Sequence, residues 1–213
     1  MTIIFDFDGT LADSLSVFLD IYNKDIVPQW NLRPVAPEDW HILRQSSITK
    51  GMRTIGVKPY QLAKIINEGR RLVKARSGDI KLFPGAAKLI KQLADSGHDL
   101  YTLSTNDQVV IKDVFKAAGI DDCIQVLKSP RLFGKASSLR RLLRQTGVQP
   151  GDAWMIGDEV RDMSAAKRVG LKSLAVTWGF QPEITLATYH PTAIAHKLSD
   201  IPTIIQDNEN TNP

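Results

Sequence analysis

The chain has 213 residues, 43% hydrophobic and 23% charged, a balance ordinary for a soluble globular protein and enough for one large domain or a domain with an insertion. It contains one cysteine, Cys123, which excludes an internal disulfide, and no run of about 18 apolar residues, which excludes a membrane-spanning helix. The N-terminus lacks the basic, apolar and small-residue order of a secretory signal, so a cytoplasmic location is expected. The net charge of +4 is uneven: from residue 41 to 84 there are ten Lys or Arg against Glu68 and Asp79, leaving that stretch at +8. In chain order, "TIIFDF" is a β-branched and aromatic run that predicts a buried strand, followed by a turn at Gly9 and a helix over residues 14–22. "VPQWNLRPVAPEDW" predicts loop with short helical pieces, and "DWHILRQ" and "KPYQLAKIINEGRRLVKAR" predict helices. The polar stretch between those two, "LRQSSITKGMR", is expected to be a loop.

From residue 80 the rhythm changes. Pro84 opens a helix that Gly97 closes, and "DLYTLS" follows as a strand. A helix over residues 109–118 leads to a strand at "CIQVL", with Cys123 as a small apolar filler. The helix "ASSLRRLLRQTG" precedes the strand "AWMIGD", and the helix "RDMSAAKRVG" precedes the strand "KSLAVTW". The tail "QDNENTNP" is polar and expected to fray. Strands alternating with helices of this length imply a parallel sheet covered on both faces, an α/β doubly wound, Rossmann-like core. No strand signal falls between about residues 15 and 80, so an all-helical insertion separates the first strand from the rest. The expected boundaries are 1–14 and 82–213 for the core and 15–81 for the insertion.

In such a sheet, ligands bind beyond the carboxyl ends of the strands. That rim collects Asp6 and Asp8, then Ser104, Thr105 and Asn106, then Asp158, Glu159 and Asp162, with Lys135 opening the helix before the last of these strands. A single Asp at a strand end commonly just caps a turn. Acids at two strand ends, joined by a hydroxyl and an ammonium, point to a site. Clustered carboxylates with no nearby His or Cys call for a hard cation, Mg²⁺ rather than zinc; the four histidines are scattered. "FGKAS" lacks the spacing and the hydroxyl of a phosphate-binding Walker loop, and no Gly-x-Gly-x-x-Gly follows the first strand.

"DFDGTLADS", "STN", the lysine of "FGKASS" and "GDEVRD" resemble, in order and spacing, the four motifs of the haloacid-dehalogenase-like (HAD) hydrolase superfamily. "FPGAAKLIKQLADSGHDLYTLSTN", "GDEVRDMSAAKRVG" and the helical insertion resemble its phosphoglycolate-phosphatase-like branch, with an α-helical cap. The resemblance implies that Asp6 is the nucleophile forming an aspartyl-phosphate and Asp8 the general acid/base. It implies that Thr105 and Asn106 hold phosphoryl oxygens, while Ser104 faces the other side of its strand. Lys135 would neutralise nucleophile and phosphoryl; since Ala136 follows it where many relatives have proline, Lys128 is an alternative. Asp158 would ligate Mg²⁺ together with Asp6 and the Asp8 carbonyl, and Asp162 would steady the site; Glu159 is either a contributor or an outward charge. An acid at position 8 implies phosphate chemistry rather than dehalogenation.

The expected function is thus Mg²⁺-dependent hydrolysis of a small, phosphoglycolate-like phosphomonoester. The alternatives are a β-phosphoglucomutase-like phosphotransferase, or a non-catalytic scaffold recruiting nucleic acid or a protein. The expected partner is a small phosphorylated metabolite, with neither membrane nor nucleic acid, and the oligomeric state is open between monomer and dimer. The cap is expected to hinge over the site on two linkers, with Arg44 as first choice to read a second anion on the substrate and Arg53 and Lys50 behind it.

Overall fold

A computed structural model describes residues 1–36, 39, 48–128 and 134–210. In chain order its elements are β1 (Thr2–Phe5), β2 (Ala12–Asp13), α1 (Leu15–Ile21), α2 (Val27–Trp30), α3 (Ile48–Thr54), α4 (Pro59–Ala75) and β3 (Lys81–Leu82). There follow α5 (Ala86–Asp95), β4 (Asp99–Ser104), α6 (Gln108–Ala117), β5 (Gln125–Lys128), α7 (Lys135–Thr146), β6 (Ala153–Gly157), α8 (Val160–Val169), β7 (Lys172–Val176), α9 (Glu183–Ala187), β8 (Ala193–Ala195) and α10 (Asp200–Asn210). The backbone divides into two compact units, Met1–Asp13 with Lys81–Pro213, and Ser14–Ile80.

The first unit is built on a six-stranded sheet in the order β5-β4-β1-β6-β7-β8, parallel throughout. β1 lies centrally and is buried along its whole length, which is why "TIIF" reads as unbroken apolar sequence rather than alternating. Ile4, Leu103 and Met155 of three adjacent strands share a core with Leu139, Leu142 and Leu143 of α7 and Ala165 and Ala166 of α8. Leaving Asp13 and returning at Lys81, the chain forms the antiparallel ribbon β2–β3. The architecture is the α/β doubly wound core with a helical insertion.

In the second unit α1 runs through a π-helical turn, Tyr22–Ile26, into α2, which ends on Asn31 in the left-handed region (φ 49°). The Asn23 side chain both donates to the Val35 carbonyl (2.9 Å) and accepts from the Val35 N–H (2.8 Å), fixing the extended stretch that follows. α4 starts on Pro59, buries Ile65 and Val73, and ends at Arg76, whose guanidinium donates to Asp20 (2.8 Å) and Asp79 (2.9 Å). That bridge joins the end of α4 to α1.

Several expectations are corrected. Residues 48–54, the second half of the stretch read as a polar loop, are helical; its first half and the helix expected at "DWHILRQ" lie outside the described residues, Asp39 excepted. The tail is helical as far as residue 210, because α10 seats Ile201 and Ile205, four residues apart, in the core. Asp200 secures its start by accepting from the N–H groups of His196 and Lys197, both at 3.1 Å. Cys123 stands in the turn before β5 rather than in the strand. β2, β3 and β8 carry no sequence signal, being two or three residues long.

Candidate active site

β4, β1, β6 and β7 are adjacent and parallel, so their carboxyl ends share one edge of the sheet. The loop after β1 is tight: the N–H groups of Thr10, Leu11 and Ala12 all donate to the Phe7 carbonyl, and Gly9 turns the chain at φ 76°. A Cβ at Gly9 would overlap the Asp158 carboxylate and the Phe180 ring, so this position needs glycine for space as well as for its dihedral. The turn sets Asp6 beside the C-terminus of β6.

Lys135, the first residue of α7 and almost completely buried, lies between two acids, with Nζ 2.6 Å from Asp6 Oδ2 and 2.5 Å from Asp162 Oδ1. Lys135 is therefore the positive group facing the first acid. Asp6 Oδ1 accepts from the Phe7 N–H (2.7 Å), while Oδ2 is buried and meets Lys135 as an ion pair without hydrogen-bond geometry. The second oxygen of Asp162 accepts from the Glu159 N–H (3.1 Å). Asp158 accepts from the Thr10 hydroxyl and from the Phe180 N–H, both at 2.7 Å. Asp6, Asp158 and Asp162 each offer a carboxylate oxygen within 4.8 Å of the others.

Asp8 is turned elsewhere. The Asn106 amide donates to both of its oxygens at 3.1 Å, and Asn106 is shaped by Ser104, whose Oγ accepts the Asn106 N–H (3.0 Å). Thr105 is half-buried at the same strand end. Glu159 pairs with Arg161 (2.8 Å), and the Arg161 guanidinium comes within 4.0 Å of Asp6 Oδ2. Arg44 lies outside the described residues, Arg53 is exposed on α3, and Lys128 ends β5 beside Ser104.

The electrostatics follow from crowding. Burial, then the negative charges of Glu159, Asp6 and Asp162, push Asp158 well above the usual carboxylate range, against the opposing hydrogen bond from Thr10. Glu159 is pushed up to about 7, chiefly by burial, although Arg161 pulls it back. Asp162 is also raised by burial, despite the neighbouring Lys135. Burial alone would lower Lys135, but Asp162 and Asp6 outweigh it and hold the ammonium charged. Among the described residues, two cations, Lys135 and Arg161, do not balance the carboxylates around them. An all-oxygen donor set, a buried carboxylate oxygen without a hydrogen bond and an excess of negative charge fit a hard divalent cation bound to Asp6 and Asp158.

The rim also holds residues that the sequence reading passed over. The loop after β7, residues 178–181, closes it: the Trp178 indole donates to the Thr10 carbonyl (3.1 Å), and Gln181 receives the Val160 N–H on its side-chain oxygen (2.6 Å) while donating its own N–H to the Asp158 carbonyl (3.3 Å). Applying the strand-end rule to "KSLAVTW" as well would have found this loop. Thr10 and Arg161 were within the quoted motifs and given no role.

A family model described as haloacid dehalogenase-like hydrolase matches residues 3–176. A phosphoglycolate phosphatase of Synechococcus elongatus is 34% identical over 200 residues, covering 93% of this chain and 94% of the relative. A 5'-nucleotidase of Pseudomonas aeruginosa is 24% identical over 209 residues, covering 96% and 93%. Among solved structures, a haloacid dehalogenase-like family hydrolase from Streptococcus pneumoniae superposes with a TM-score of 0.81 at 26% identity, covering 95% of this chain and 96% of that one. The chain belongs to the haloacid dehalogenase-like hydrolase family. Within it, the kinship is with the phosphoglycolate-phosphatase-like branch, and the enzyme class is phosphatase.

Proposed function

We propose that this chain is a Mg²⁺-dependent phosphatase that hydrolyses a small phosphoglycolate-like phosphomonoester through an aspartyl-phosphate on Asp6. The observation that carries the reading is the ammonium of Lys135 set between Asp6 and Asp162, with Asp158 alongside. A carboxylate must approach an already anionic phosphoryl group, and charge neutralisation is what lets it do so. Asp6 and Asp158, with the Asp8 carbonyl, would hold Mg²⁺, which when bound supplies further charge neutralisation at the phosphoryl oxygens. Asp162 takes no direct part; with one oxygen on Lys135 and the other on a backbone N–H, it orients the lysine.

In the first step an oxygen of Asp6 bonds to phosphorus and the ester P–O bond breaks, the leaving oxygen taking a proton from Asp8. In the second a water gives a proton to Asp8 and attacks phosphorus, releasing inorganic phosphate and restoring the Asp6 carboxylate. Asn106, hydrogen-bonded to both Asp8 oxygens, orients the acid/base for each transfer. Thr105 is assigned to the phosphoryl oxygens.

Residues 1–14 and 82–213 form the catalytic core in this reading, and residues 15–81 the cap that selects the substrate, with Arg44 as its anion reader. The enzyme would work in the cytoplasm on a free metabolite. The relative from S. elongatus supports phosphoglycolate as the substrate class. The test is a phosphate-release screen with Mg²⁺ over small phosphomonoesters, with a nucleoside monophosphate included because of the 5'-nucleotidase relative. Release from phosphoglycolate above the other compounds is expected. Preference for the nucleotide would reassign the substrate, and no release from any phosphomonoester would overturn the reading.

A further inference from the structure

Lys135 is not the only cation at the nucleophile. Arg161, the second residue of α8, lies three positions from Asp158 and next to Asp162, and its side chain is 20% exposed. One terminal nitrogen, Nη2, donates to Glu159 Oε1 at 2.8 Å and stands 4.0 Å from Asp6 Oδ2, the same oxygen that Lys135 holds. The other two nitrogens of the guanidinium, Nε and Nη1, are buried and have no hydrogen-bond partner among the described residues. Buried N–H groups without partners are costly, and a charged donor left in that state in a native site needs an explanation.

A purely electrostatic role explains only half of this. Arg161 would then offset the acids Asp6, Glu159 and Asp162, and its pairing with Glu159 serves that purpose. It leaves two donors of a rigid planar fork with nothing to bind, on a guanidinium whose third nitrogen stands 4.0 Å from Asp6 Oδ2. A guanidinium is suited to such a place because its fork matches two oxygens of a phosphate at once. The sequence reading gives the phosphoryl group Lys135, Thr105 and Asn106, yet the Asn106 amide is engaged with Asp8. Arg161 offers two donors that no other group among the described residues takes up.

We propose that Arg161 is a further phosphoryl-binding residue, its Nε and Nη1 N–H groups donating to the oxygens of the phosphate brought to Asp6 while Glu159 holds the guanidinium in position. The inference deepens the phosphatase reading and rests on it. It is separable from that reading because it concerns binding of inorganic phosphate, which needs no turnover. Loss of the phosphate-binding donor should strike every phosphomonoester alike, unlike loss of a residue that reads the rest of the substrate.

The test is calorimetric titration of inorganic phosphate into the Mg²⁺-loaded full chain, for the wild type and for Arg161→Gln, Arg161→Lys and Glu159→Gln. Arg161→Gln is expected to weaken phosphate binding about tenfold or more, Arg161→Lys to restore part of it, and Glu159→Gln to weaken it less than Arg161→Gln. Thermal melting run alongside monitors the fold: a fall in melting temperature with phosphate affinity unchanged within about twofold makes Arg161 a structural counter-charge and overturns the proposal. A wild type that binds no phosphate overturns it too. Tenfold weaker binding in Arg161→Gln from a wild type that hydrolyses nothing would uphold Arg161 and reject the phosphatase reading instead.

Discussion

The sheet rim and the helical insertion are made from the same chain by different rules. At the rim each charged side chain has a named partner: Lys135 between Asp6 and Asp162, Asp158 between Thr10 and Phe180, Asp8 against Asn106. In the insertion the cations sit mostly at the surface, as in the exposed Arg71–Glu68 pair three residues apart on α4, or in the Asp20–Arg76 bridge that fastens helices. Exposed pairs contribute little to stability because water and salt screen them. The comparison teaches that the buried, partnered charges gather at one edge of the core, while the proposed reading leaves substrate selection to an insertion whose cations face water. Substitutions at the rim should therefore affect all substrates, and those in the insertion should affect one.

The largest expected effect is that of Asp6→Asn, which should abolish steady-state phosphate release from every substrate, because an amide cannot form the acyl-phosphate. Release well above a buffer control would remove Asp6 from its role. Removing Mg²⁺ with a chelator should have a comparable effect, and Ca²⁺ should inhibit, since its larger and looser shell draws both Asp6 oxygens into coordination. Equal rates with chelator and with Mg²⁺ would contradict the metal assignment.

Next comes a pH effect on stability that needs no turnover. Burial holds Asp158 well above the ordinary carboxylate range. A group raised on folding contributes stability that is present below its unfolded value and lost as pH rises through its folded one. In chelator, Asp158→Asn should gain on the wild type in melting temperature as the pH rises above the ordinary carboxylate range, each kcal/mol appearing as roughly 2–4 °C. Parallel melting curves across that rise in pH would show that Asp158 is not held under strain. The smallest effect belongs to the insertion. Arg44→Ala should raise the KM for a phosphorylated acid about tenfold, roughly 1.4 kcal/mol, while leaving an aryl phosphate nearly unchanged. Equal losses on both substrates would move Arg44 from selection to the phosphoryl site or the fold.

How far the sequence could be read depended on how strongly physics constrained each part. β1, β4, β6 and β7 are buried strands whose apolar runs stop at acids, hydroxyls or glycines, so strand and site were legible together. β2, β3 and β8 are too short for any period to emerge. α10 was hidden because, among the described residues, only Ile201 and Ile205 of this polar helix are buried. At the rim, the acids were visible because carboxylates at two strand ends, joined by a hydroxyl and an ammonium, are more than turn capping asks for. Thr10, Gln181 and Arg161 were not, since a hydroxyl or an amide in a loop, or an arginine in the first turn of a helix, has many uses and only geometry selects one. Gly9 was legible as a turn but not as a space requirement, which arises from Asp158 and Phe180, both far away in sequence.

The central claim is that phosphoryl transfer passes through Asp6. It is tested most directly by quenching the enzyme with acid during turnover of a labelled phosphomonoester and mapping the label by peptide mass spectrometry. The account predicts a hydroxylamine-sensitive phosphoryl group on the peptide containing Asp6, absent from Asp6→Asn. Turnover with the label on another residue, or with no labelled peptide at any time after mixing, would contradict it.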